Sequence, residues 1–113
     1  MWMEQKNLQL IYRYFRKHQG GVDMAERYRI AVEVISQKGK CNQGHKVGDR
    51  WIVGSKTPEG ICLSAFAALF PNIRAMTFGA NLPWESDPDF TDMACPDPVN
   101  PVVFGLKRLR EDS

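Results

Sequence analysis

Five of the seven prolines in this chain, Pro83, Pro88, Pro96, Pro98 and Pro101, lie between residues 83 and 101. Proline locks φ and lacks the N–H that a helix interior or a central strand requires. This stretch is therefore extended and rigid, and the helix that covers a sheet must come from elsewhere in the chain. Two segments qualify. In the first, Leu8, Ile11, Tyr12 and Phe15 recur at i, i+3, i+4 and i+7 before Gly20-Gly21 stops the pattern, which predicts a short amphipathic helix over residues 3–18. Lys17 and His18 near its end suit the helix dipole, so His18 reads as a surface residue. In the second, Thr57 can cap, Pro58 fits a first helical position and Glu59 meets the positive end of the dipole. Here the spacing predicts a helix that runs to Phe70 and is ended by Pro71, with Cys62, Phe66 and Leu69 on its apolar face.

The remaining signals are strands. Ile30, Val32 and Val34 alternate with Arg29, Ala31 and Glu33, the period of a half-buried strand rich in β-branched side chains. Trp51 to Val53 forms a second strand, Ile73 to Phe78 a third, Phe90 to Ala94 a short fourth, and Val102 to Leu109 a closing one. Between the first two strands the run GKCNQGHKVGD has three glycines and no apolar period, which is the mark of an ordered loop. With 113 residues and 43% hydrophobic composition, there is material for one core. The expectation is an α+β domain over residues 28–113: a small four- to five-stranded sheet or partial barrel in the order β-β-α-β-β-β, with one main covering helix. Residues 1–27 are an appended N-terminal amphipathic helix and linker, docking on this domain or on a neighbouring subunit.

Charge excludes some partners. Lys+Arg number 15 against 13 Asp+Glu, and the whole excess falls within residues 1–27. The body has no basic stripe, so nucleic acid is not an expected partner. Between Arg74 and Lys107 there is no base, while Glu85, Asp87, Asp89, Asp92 and Asp97 fall in that gap. The local field there should be negative and attract cations or a basic partner. No stretch approaches the roughly 20 apolar residues of a membrane helix, and no signal peptide is evident. The expected location is the cytoplasm, where three cysteines are thiols or ligands rather than disulfides.

Chemistry concentrates on those cysteines. Cys41, Cys62 and Cys95 together with His45 form an inventory of three thiolates and one imidazole, which suits zinc, and thiolates are also the principal holders of iron–sulfur centres. The cysteines are dispersed, without a C-x-x-C knuckle, so the fold must assemble them. A second reading takes Cys62 as a nucleophilic or redox thiol near a helix start, with His45 as its base. A third constellation, Trp84, Glu85, Asp87 and Asp89 on the proline-stiffened loop, is a candidate protein-recognition surface for a non-catalytic homo-oligomeric module. P-loop, dinucleotide and hydrolase motifs are absent from the sequence, and whether the protein is an enzyme is left open.

The runs ISQKGKCNQGHKVGDRWIV, TPEGICLSAF, FPNIRAMTFGA, PWESDPDF and CPDPVNPVVFGLKR together resemble a family of small uncharacterised bacterial and archaeal proteins common in anaerobes. The resemblance covers roughly residues 28–110. It implies a stand-alone module to whose motif Cys41, His45, Cys62 and Cys95 belong, and it implies no particular activity. The leading expectation is a small metal-binding or redox-active thiol protein built on these four residues, with zinc or iron as the metal. The interaction module is the alternative.

Overall fold

The structure, a computed structural model, describes residues 27–110. Residues 1–26, including the expected N-terminal helix, and residues 111–113 lie outside the described residues. Four strands and one helix make up the domain: β1 (Arg29–Gln37), β2 (Arg50–Val53), α1 (Leu63–Thr77), β3 (Phe90–Ala94) and β4 (Val102–Leu109). The sheet order is β2-β1-β4-β3, and every pairing is antiparallel. This is an α+β arrangement with an open four-stranded sheet.

The period-two pattern of β1 places Ile30, Val32 and Val34 on the helix side, where each is fully buried. Val102, Phe104 and Leu106 of β4 occupy the same face in the neighbouring strand. Against them α1 presents Ala65, Leu69, Ile73 and Met76, spaced as one stripe of a 3.6-residue helix. A register shift between Val34 and Ser36 marks a bulge in β1, just before the chain leaves the sheet for the first cysteine loop.

Two boundaries of the helix differ from the sequence expectation. It begins at Leu63 rather than at Thr57, because Gly60 takes φ 93°, a left-handed conformation that no right-handed helix interior contains. The residues from Thr57 to Ile61 are thus a turn, and Cys62 is the N-cap. At the other end the helix runs through Pro71 to Thr77 with Phe78 as its C-cap, so the expected strand from Ile73 to Phe78 does not form and the sheet has four strands. Proline inside a helix costs about 3 kcal/mol. Fully burying Ile73 and Met76 returns about 1.5–3 kcal/mol each, which offsets the cost, and Pro71 itself lies on the exposed side. None of the described helices is long and apolar enough to cross a membrane.

Candidate functional site

The first cysteine loop leaves β1 and closes on itself. The N–H of Gly44 donates to the carbonyl of Cys41 at 2.9 Å, with Gly44 at φ 78°. This turn drives His45 inward, where it is only 6% exposed. The imidazole meets the Trp51 ring edge-on at 5.1 Å between centroids and the Phe104 ring at 6.2 Å. The aromatic walls therefore come from β2 and β4, and the loop sequence supplies the residue that fills them.

His45 makes one decisive hydrogen bond: its Nε2 accepts the backbone N–H of Cys62 at 3.0 Å. An accepting Nε2 fixes the neutral tautomer with the proton on Nδ1. Nδ1 lies 3.8 Å from Asp49 Oδ2, too far for a hydrogen bond. Asp49 is occupied by Lys46, whose backbone N–H and ammonium donate to its two oxygens at 3.0 and 3.3 Å. The backbone hydrogen bond is the main reason its carboxyl stays below the usual aspartate value, with burial opposing.

Cys62 sits at the N-cap of α1, and no side chain caps this end. Its carbonyl accepts the N–H of Phe66 at 2.9 Å, so the first turn starts beside the thiol. Cys95 follows β3; its N–H donates to the carbonyl of Val102 at 2.8 Å, and its Sγ accepts the N–H of Val102 at 3.3 Å. The end of β3, the start of β4 and the start of α1 are thereby gathered with the first loop.

The consequence is a pocket of about 330 Å³ lined by Cys41, Cys62 and Cys95 together. Asn42, Gln43, Ser64, Asp97 and Asn100 complete its polar wall. Its volume is at the lower end of the range for small-ligand sites. All three cysteines are free thiols of intermediate exposure. Three residues chosen for their chemistry, and separated along the chain by 20 positions or more, thus share one cavity. His45 does not line it, and its contact is with the amide of Cys62 rather than with the thiol. Among the described residues no group of three or more His, Cys, Asp or Glu side chains is arranged to hold a metal ion.

The acidic loop is tied to the sheet through Asp89. Arg108, from a core position of β4, reaches its underside and is 1% exposed. Its Nε donates to Asp89 at 3.0 Å. Its other nitrogens donate to the carbonyls of Met76, Ala80 and Pro88 and to Asn81 Oδ1. Arg110 also donates to Asp89 Oδ1 at 2.8 Å. Glu85 accepts the hydroxyl of Thr91 at 2.6 Å, and Asp87 accepts the N–H of Asp89 at 2.9 Å. Of the five acids in the gap, only Asp89 pairs with bases among the described residues, and these are Arg108 and Arg110. Trp84 remains 65% exposed.

Sequence reasoning passed over Arg108, Asn100 and the polar lining of the pocket. A signal for Arg108 existed, since it continues the core period Val102, Phe104, Leu106 in β4. For Asn100 the only signal was its place between Val99 and Pro101 in the loop that follows Cys95.

No protein-family model, no curated protein and no solved structure matches this chain.

Proposed function

We propose that the protein is a small metal–thiolate protein whose centre is held by Cys41, Cys62 and Cys95, and that this centre is an iron–sulfur cluster. The observation that carries the reading is that all three cysteines line one pocket of about 330 Å³. Zinc bound at roughly 2.3 Å to each sulfur needs its ligands packed closely about one point. The three cysteines line a void instead, which suits a polynuclear centre better than a single ion. Iron–sulfur clusters are held chiefly by cysteine thiolates and tuned by hydrogen bonds to sulfur, and the Val102 N–H already donates to Cys95 Sγ. The N-terminus of α1 adds partial positive charge beside Cys62, which favours an anionic centre.

In this reading His45 is a positioning residue. It fixes the Cys62 backbone through the N–H that it accepts, and its aromatic walls prevent it from turning. Anaerobic reconstitution with iron and sulfide tests the proposal. The wild-type protein is expected to gain visible charge-transfer absorption, and Cys41→Ser, Cys62→Ser and Cys95→Ser are each expected to lose most of it. Wild-type protein that gains no such absorption would overturn the reading.

The exposed Trp84 favours a second reading, a self-associating interaction module. A tryptophan on a loop clamped by Arg108 is an anchor whose ordering cost has already been met. Sedimentation of Trp84→Ala distinguishes it: this reading requires a self-associating wild type whose mass falls to that of a monomer in the variant.

A further inference from the structure

The two loops that carry Cys41 and Cys95 are joined by one side chain. Asn100 Oδ1 accepts the backbone N–H of Lys40 at 3.0 Å, across 60 positions of sequence. The residue is itself held in place, because Asp97 Oδ1 accepts the N–H groups of Val99 and Asn100 at 2.9 and 3.1 Å. On the other side Gly39 has φ 67°, and a Cβ there would fall directly on Asn100 Oδ1. The close approach of the carboxamide therefore depends on a glycine two residues before Cys41. A backbone bond from the Lys38 N–H to the Pro101 carbonyl, at 3.0 Å, runs beside it.

The same side chain lines the thiol pocket. Since its partner is an N–H donor, the atom facing Lys40 is the oxygen, and this settles which end of the amide is which. The Nδ2 end lies beside the Asp97 carboxylate and, after the backbone N–H groups of Asn100 and Val99, helps to hold that carboxyl below its ordinary value. A carboxamide thus spends its acceptor on the Cys41 loop and one donor hydrogen on Asp97, which leaves the second hydrogen for the pocket that the three cysteines also line.

We propose that Asn100 is a positioning residue of the thiol site, which sets the Cys41 loop against the Cys95 loop with its oxygen and donates from Nδ2 to a sulfur of the bound centre. The donor half of this role rests on the metal–thiolate reading above; the loop-setting half does not. Donation to sulfur stabilises the more negative, reduced state of a cluster and raises its potential.

Two variants separate the halves. Asn100→Ala removes both functions, whereas Asn100→Asp keeps an acceptor for the Lys40 N–H and deletes the donor. Modification of the metal-free protein by a thiol reagent, followed residue by residue with mass spectrometry, reads the loop function without any metal. Cys41 is expected to react several-fold faster in Asn100→Ala, and Asn100→Asp is expected to restore the wild-type rate. Equal Cys41 rates in wild type and Asn100→Ala would overturn the loop role. In reconstituted protein the reduction potential reads the donor function: Asn100→Asp is expected to be lower than wild type with the cluster retained. An unchanged potential would overturn the donor role alone, while wild-type protein that takes up no iron would overturn the donor role together with the metal–thiolate reading. Circular dichroism of each variant, expected to match wild type, distinguishes these effects from unfolding.

Discussion

Arg108 occupies a β4 position whose alternation calls for an apolar side chain, and it satisfies every polar group that its burial brings with it. Its guanidinium joins the carbonyls of Met76 and Ala80, at the end of α1, to Asp89 and Pro88 in the following loop. Truncating one partner of such a buried network leaves unpaired groups in a dry site, at about 3–5 kcal/mol. Arg108→Ala is therefore expected to lose about 3–5 kcal/mol in urea unfolding. Arg110→Ala, whose side chain is half exposed, should lose far less, because solvent screens the pair. Equal losses would contradict the distinction. Asp89 gives the pair a pH dependence. Burial opposes its charge, but hydrogen bonds from Arg110 and Arg108 outweigh burial and hold its carboxyl below the ordinary value of 3.8. A depressed carboxylate stabilises the fold above its unfolded value and loses that contribution as the pH falls through the folded one. Acid unfolding below about pH 4 should therefore be less steep in Asp89→Asn, as seen by fluorescence along a pH titration.

At the scale of elements, what was legible followed from periodicity, and what was not depended on distant partners. The alternation of Ile30, Val32 and Val34 was enough to place β1 and its buried face, because a period of two has one solution when one side is covered. The short strands at residues 51–53 and 90–94 and the closing strand from Val102 were likewise legible. The helix end was not: Pro71 is a local stop signal, and only the sheet beneath α1 makes burial of Ile73 and Met76 outweigh it. Gly60 was the overlooked start signal, since its conformation shows only when the chain turns back towards Trp51. Pro71→Ala restores a helical N–H on an exposed face. Its expected gain is about 2–2.5 kcal/mol, the helix penalty less the unfolded-state entropy that proline had removed, read as a higher midpoint in thermal unfolding. A lower midpoint would show that the proline supports the helix rather than interrupting it.

Across the whole molecule the site is a product of topology. Cys41 leaves the sheet after β1, Cys95 lies between β3 and β4, and Cys62 begins α1. The antiparallel order β2-β1-β4-β3 brings these three chain positions to one pocket. The cysteines and His45 were legible as chemistry from residue type alone, but their arrangement was not, because dispersed ligands carry no spacing signal. Taking His45 as the base of Cys62 required a proximity that the sequence did not show, and the choice of the backbone N–H over the thiol depends on the burial of the imidazole between Trp51 and Phe104. The acidic loop shows the same limit: charge counted along the chain did not reveal that Arg108 and Arg110 pair with Asp89. The central claim, that the three thiols hold an iron–sulfur cluster, is tested most directly by iron and acid-labile sulfide per chain in protein purified without air or chelator. The account predicts iron and sulfide in matching amounts, with more than one iron per chain. Protein that contains neither, folds as well as the loaded form and has Cys41, Cys62 and Cys95 all free to titrate would contradict it.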